Sequence, residues 1–167
     1  MPGKKQAQEL AQTALKELVE YKNPEHGFSI KYPQSWQKEE PKNTGVICKF
    51  KTLNGLVSYR LAMDQLPAPM ALDAYTKVSI EGIKVAMVAA KMPLKTVEQK
   101  SGVFGGVPAT EIIYTLKMEG SERTAKARFI LATYKSRGYV FYYTADSQLF
   151  DTFMPVIRAV VESMKFL

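Results

Sequence analysis

Histidine and cysteine, which carry much of the chemistry of proteins, occur once each in this chain of 167 residues, as His26 and Cys48. A structural zinc site usually takes four protein ligands, drawn largely from these two residue types. One cysteine cannot form an internal disulfide, and one histidine cannot supply a two-histidine metal site. The two counts therefore exclude an internal disulfide, a cysteine-rich zinc site and a two-histidine metal site within a single chain.

His26 lies beside Glu25 in a turn, and the two side chains form a weak candidate metal site. We expect His26 to be a solvent-facing turn residue, because no second histidine is present. A serine–histidine–aspartate triad is disfavoured, because no G-x-S-x-G motif surrounds a serine. Cys48 alternates with Phe50 at strand spacing, so we expect it to be a buried, unreactive thiol.

Positive charge is concentrated in one part of the sequence. The chain has 23 Lys and Arg residues against 16 Asp and Glu residues, a net charge of +7. Residues 84–137 carry 10 basic and 4 acidic residues, so the net charge of this segment is +6. Lys126 and Arg128 are two apart and share one face of a strand, which Lys117 is expected to join from a neighbouring strand.

We predict that this basic face binds a partner and consists of Lys117, Arg123, Lys126 and Arg128. An acidic protein surface or an anionic membrane would complement it. Nucleic acid is disfavoured, because no nucleic-acid-binding motif accompanies the charge.

The elements that position these residues follow from apolar periodicity. Helices are predicted over 6–21, 70–91 and 147–165, where apolar residues recur at helix spacing. Strands are predicted over 27–32, 46–51, 56–63, 94–104, 107–118, 123–135 and 139–145, and a loop over 37–45. Turns are predicted at Asn54-Gly55, Gly105-Gly106 and Ser136-Arg137-Gly138.

This order predicts an α+β fold, an α/β/α sandwich. Its central antiparallel sheet would have about six to seven strands, flanked by helices. The length suits one domain, and we expect a helical leader over residues 1–22 and one domain over 23–167. The chain shows no apolar run of the roughly 20 residues that a membrane helix needs. It also shows no apolar export segment near residue 1. We therefore expect a cytoplasmic protein, or an extracytoplasmic, membrane-associated one if an export signal has been removed.

A specific run opens the first predicted strand: Tyr21-x-Asn23-Pro24-x-x-Gly27-Phe28-Ser29-Ile30-x-Tyr32-Pro33-x-x-Trp36. A Gly-Gly-Val-Pro-Ala turn follows at 105–109, and the chain closes on an apolar helix. Over about residues 21–167 these features resemble the PsbP family, which includes the extrinsic oxygen-evolving enhancer of photosystem II and many bacterial relatives that are often lipoproteins or exported.

The resemblance implies an α/β/α sandwich and a non-enzymatic protein that docks on membrane proteins and helps assemble them or retain ions. A photosystem II role is implied only for a photosynthetic host. The motif residues look structural, so calcium or manganese binding is implied by family analogy alone and no cofactor is predicted.

Three hypotheses about function follow. The first is a non-enzymatic module that docks on a membrane-associated protein complex through the basic face. The second is a cytoplasmic chaperone or adaptor that holds apolar protein segments in a groove, which the absence of a visible export segment favours. The third is a carrier of calcium or manganese.

Overall fold

The structure is a computed structural model that describes residues 1–40, 42, 45–117, 120 and 122–167. It contains three α-helices and ten strands in the described ranges. The helices are α1 (Lys4–Lys16), α2 (Leu72–Ala89) and α3 (Phe150–Glu162). The strands are β1 (Leu18–Asn23), β2 (Phe28–Pro33), β3 (Gln37–Glu39), β4 (Val46–Thr52), β5 (Val57–Gln65), β6 (Leu94–Phe104), β7 (Val107–Lys117), β8 (Thr124–Tyr134), β9 (Arg137–Asp146) and β10 (Lys165–Phe166).

A seven-stranded antiparallel sheet forms the centre of the fold, in the order β3-β4-β5-β9-β8-β7-β6. A separate three-stranded sheet has the order β1-β2-β10. The predicted α+β class and the predicted strand number of the central sheet are thereby confirmed.

One face of the central sheet is buried under α1, α3 and the small sheet. Inward-facing residues of β5 and β9 alternate with outward-facing ones, as half-buried strands require. The alanines Ala7, Ala11 and Ala14 let α1 approach α3 closely, since all three are buried in this core. Fully buried aromatic side chains fill its centre, among them Phe50, Tyr59, Phe104, Phe141, Tyr143 and Phe153.

The other face is covered by α2 alone. Its contacts are to β8 and β7, where Ile112, Tyr114 and Phe129 are buried beneath it. Tyr75 is buried in the same cluster at the start of the helix. One helix is narrower than a seven-stranded sheet, so part of this face stays uncovered.

The first predicted helix was wrong at its end. Helix α1 ends at Lys16, and residues 18–23 form strand β1, which pairs with β2 from Leu18↔Pro33 to Asn23↔Phe28. Leu18 and Val19 continue the helical spacing, but all six residues of the segment pair in register with β2, which makes it an edge strand of the small sheet. The predicted boundary between residues 22 and 23 stays a prediction, and residue 22 falls within β1.

Two further short strands were missed. Residues 37–39, predicted as loop, form β3 and pair with β4 through Gln37↔Lys51. The last helix ends at Glu162, and Lys165 and Phe166 add β10 to the edge of β2. Strand β2, predicted as part of the central sheet, belongs instead to the small sheet. The remaining parts of the predicted loop at 41, 43 and 44, and Met118 at the end of a predicted strand, lie outside the described residues.

The turn predicted at Ser136-Arg137-Gly138 begins one residue earlier and consists of Lys135 and Ser136. Lys135 and Ser136 have positive φ values of 48° and 59°, and β9 begins at Arg137. This pair suits a two-residue hairpin, which needs positive φ at both central positions. Gly138 therefore lies outside the turn, as the second residue of β9, where the ring of Tyr75 packs on it.

Cys48 is expected to react with Ellman's reagent only after unfolding. The residue is 1% exposed, and burial raises the pKa of its thiol to about 12, so the protonated form dominates at pH 8. The native protein should react at least about a thousandfold more slowly than the same protein in guanidinium chloride. Rapid labelling of the native protein, with its circular dichroism spectrum unchanged, would contradict this burial.

Candidate functional site

Three of the predicted basic residues, Lys117, Lys126 and Arg128, lie on the α1–α3 side of the central sheet. Thr115 of β7 pairs with Lys95 of β6 and with Lys126 of β8, and Lys117 follows two residues later. Residues directly opposite one another across antiparallel strands point to the same side. Lys95, Lys117 and Lys126 therefore share one face, here called the lysine face. Lys95 and Lys117 are exposed, and Lys126 is half-buried.

The lysine face carries uncompensated positive charge. Within the described parts of the chain, no carboxylate lies at ion-pair distance from any of its three members. The Lys126 ammonium lies 5.8 Å from the centre of the Phe150 ring at the start of α3. Lys95 was not predicted to belong to this face, because its place depends on the pairing register of β6.

Arg128 lies on the same side but its charge is paired. Its Nη2 donates to Glu111 Oε1 at 2.5 Å, and the two side chains are only 12% and 10% exposed. Lys100 Nζ lies 3.8 Å from the other Glu111 oxygen. Gly102 makes room for this carboxylate, since a Cβ there would lie 3.1 Å from the side-chain carbons of Glu111. Arg128 thus contributes little accessible positive charge, and its role in docking stays a prediction.

Arg123 precedes β8 and lies near Leu116, Ala125 and Tyr142, which face the α2 side, and its part in docking stays a prediction. Its side chain is 63% exposed, and Nη2 donates to Asp146 Oδ2 at 3.0 Å. An exposed pair of this kind still presents donors to a partner, but its net charge is small.

His26 and Glu25 occupy the turn between β1 and β2. The His26 backbone N–H donates to Asn23 Oδ1 at 3.0 Å, and His26 Nδ1 lies 3.2 Å from the same oxygen. The His26 carbonyl accepts from Arg137 Nη1 at 3.1 Å. Throughout the described ranges, no three His, Cys, Asp or Glu side chains come together as a metal-binding group. Metal binding at these two residues stays a prediction.

A groove that the sequence did not predict lies on the opposite side of the sheet, between α2 and strands β5, β9 and β8. It encloses about 480 Å3, within the range of small-molecule sites. We call it the α2 groove. Its mostly apolar walls come from Leu66, Met70, Val78, Ile83, Met87, Phe129 and Val140, with Arg60, Asp64 and Tyr75 as polar members.

Tyr75 lies at the end of the α2 groove that is next to Asp64. Its hydroxyl donates to Asp64 Oδ2 at 2.8 Å, and its ring lies directly on Gly138 of β9. Burial, and then the hydrogen bond to Asp64, raise the pKa of Tyr75 well above its usual value. The residue therefore stays a neutral donor over the physiological pH range.

Comparison with solved structures shows what this arrangement resembles. The cyanobacterial PsbP of Synechocystis, CyanoP, superposes with a TM-score of 0.72 at 18% identity, over 90% of this chain and 93% of that one. A Bacteroides thetaiotaomicron protein gives a TM-score of 0.64 at 12% identity, over 90% of this chain and 49% of that one. LpqN of Mycobacterium tuberculosis, involved in cell envelope biogenesis, gives 0.50 at 10% identity, over 89% and 90%.

The chain therefore has a PsbP-like fold, as its motifs predict. At these identities the likeness concerns the fold. No protein-family model and no curated protein sequence matches the chain significantly. Among the described residues, none of the helices has the length and apolar character to span a bilayer.

Removal of the Glu111 carboxylate should destabilise the fold strongly. Glu111→Ala leaves the Arg128 guanidinium buried without its counter-charge, so we expect the free energy of unfolding to fall by about 3 kcal/mol. Urea denaturation followed by circular dichroism measures this loss.

Glu98→Ala is the matched control for Glu111→Ala. Glu98 also contacts Lys100, but its side chain is 50% exposed, so its removal should cost less than about 1 kcal/mol. Equal, small losses for the two variants would show that the Arg128 pair contributes little to the fold.

Proposed function

We propose that this chain is a non-enzymatic binding module that docks on a membrane-associated protein partner through the lysine face. The observation that carries the proposal is the group of three lysines, Lys95, Lys117 and Lys126, on adjacent strands, none of them with an acidic partner in the described structure. The matching partner carries an acidic surface.

The sheet supplies what such docking needs. Strands β7 and β8 are interior strands whose backbones pair on both sides, so Lys117 and Lys126 project from a rigid support, while Lys95 projects from the edge strand β6. Only side-chain freedom is lost on binding, which keeps the entropic cost of association low. Uncompensated charge also accelerates encounter with an acidic partner and makes binding sensitive to salt.

The proposal is compatible with either predicted location. In an extracytoplasmic protein the lysine face would meet the outer parts of a membrane complex. In a cytoplasmic protein it would meet the inner ones. A role as an extrinsic subunit of photosystem II applies only to a photosynthetic host.

A chaperone or adaptor for apolar protein segments is the second candidate function. The favouring observation is on α2, where Val78, Val85 and Val88 are 63%, 69% and 73% exposed. These side chains lie on the other side of the sheet from the lysine face. Variants of the two surfaces therefore separate the two functions.

Charge reversal on the lysine face should abolish docking. Affinity capture from solubilised membranes of the native host compares the wild type with Lys117→Glu/Lys126→Glu. We expect recovery of a specific membrane protein to fall at least about tenfold, because each reversal places like charges opposite one another. The matched control is Lys77→Glu/Lys84→Glu, which changes the net charge equally but on exposed positions of α2.

Three results would contradict docking on a protein through this face. Equal recovery by the wild type and the Lys117→Glu/Lys126→Glu variant would exclude the lysine face. Co-sedimentation with protein-free vesicles containing phosphatidylserine, at the affinity seen in the capture, would identify lipid as the partner. A loss caused by Val85→Lys but not by the lysine reversals would favour the chaperone function.

A further inference from the structure

The α2 groove has the shape of a binding site for an elongated molecule. Lining residues recur on α2 from Tyr75 to Met87, a stretch of about 18 Å at the rise of an α-helix. Met70 and Met87 flank it, and methionine side chains adapt readily to an apolar guest. Gly82 widens the groove, because a Cβ at this position would meet no atom within 4 Å.

Arg60 supplies a positive charge in the wall of the groove. It pairs with Tyr142 across β5 and β9, and its guanidinium carbon lies 4.7 Å from the centre of the Tyr142 ring. In the part of the chain that the structure describes, Arg60 makes no ion pair or hydrogen bond. Its planar donors suit a carboxylate or phosphate group, which would satisfy them.

The two ends of the groove differ in charge. Asp64 lies four residues from Arg60 on the same face of β5, about 13 Å along the strand. Because Asp64 carries a negative charge and is held by Tyr75, an anionic group is repelled from that end and attracted to Arg60. A guest with one anionic end would therefore bind in one orientation.

The backbone around the α2 groove has no unpaired hydrogen-bonding groups for an extended peptide to pair with. Strands β5, β9 and β8 lie in the interior of the sheet and pair on both sides, and α2 satisfies its own backbone. A peptide strand would lose hydrogen bonds to water and find no replacements. An aliphatic chain carries no such groups and loses none.

We propose that the α2 groove binds a single anionic amphiphile, a molecule with an aliphatic chain and one carboxylate or phosphate group. The aliphatic chain of the ligand lies along α2 over Phe129 and Val140, and Arg60 binds its anionic group. This site is on the opposite side of the sheet from the lysine face, so it operates independently of the proposed docking.

Calorimetry with laurate and dodecyl phosphate, each below its micelle concentration, tests the proposal. We expect saturable binding of one molecule per chain. Arg60→Gln should weaken it at least about tenfold, the loss expected for one charge-assisted contact. Dodecanol, which has the same chain without the charge, should bind the wild type more weakly by a similar factor. Preference for either anion identifies the head group and supports the proposal.

Gly82→Leu places a side chain in the groove and should abolish binding. Leucine has the higher helix propensity, so the thermal unfolding midpoint should not fall. Lys84→Gln is the matched control for Arg60→Gln, since it removes a positive charge of α2 outside the groove and should leave the affinity unchanged. Lys117→Glu/Lys126→Glu should also bind laurate normally, which separates this site from the lysine face.

Several outcomes would overturn the proposal. The absence of saturable binding for both anions would do so. Unchanged laurate binding by folded Gly82→Leu would place the ligand elsewhere. Dodecanol binding as tightly as laurate would remove the role of Arg60. If an uncharged apolar peptide binds at the groove while both anions do not, the groove belongs to a peptide-binding function.

Discussion

The contact between the ring of Tyr75 and the backbone of Gly138 fixes α2 on the central sheet. Tyr75 is 3% exposed, and a Cβ at position 138 would lie 2.2 Å from its ring carbons, so only glycine permits this approach. The Tyr75 hydroxyl extends the contact to Asp64 of β5. One side chain thereby joins the start of α2 to two neighbouring strands. This contact positions the start of α2 and the adjoining end of the α2 groove.

The two faces of the sheet are covered unequally. Helices α1 and α3 and the small sheet bury one face of the central strands, while α2 crosses only part of the other. The lysine face occupies the first side, with Lys126 beside the start of α3 and Lys95 and Lys117 exposed. The α2 groove occupies the second. Because a packed sheet separates them, a charged partner and an amphiphilic ligand could bind without contact between them.

The sequence predicts the face on which a side chain lies where that face follows from alternation along a single strand. Apolar and polar residues alternate along β7, and this alternation places Ile112 and Tyr114 on one face and Glu111 and Lys117 on the other. The sequence does not predict secondary structure where that structure depends on pairing with residues distant in the chain. Leu18 and Val19 continue the spacing of α1 and are strand residues only because β2 pairs with them.

Prediction of the candidate site from the sequence is limited in the same way, because it depends on residues that are distant in the chain. Lys126 and Arg128 are two residues apart and were placed on one face correctly. The burial of Arg128 against Glu111 and the addition of Lys95 depend on cross-strand register. The place of Arg60 over the Tyr142 ring, with no ion pair to any described carboxylate, depends on it as well. Gly138 was assigned to a turn, because glycine marks turns more often than close helix–sheet contacts.

Hydrogen–deuterium exchange on Gly138→Ala tests whether Tyr75 holds α2 on the sheet. Gly82→Ala is the control, because it adds a methyl group in open space. If Tyr75 fixes α2, exchange should accelerate throughout Leu72–Ala89 in Gly138→Ala, while α1 and α3 keep their protection. Unchanged protection of α2, or equal acceleration in all three helices, would contradict this account.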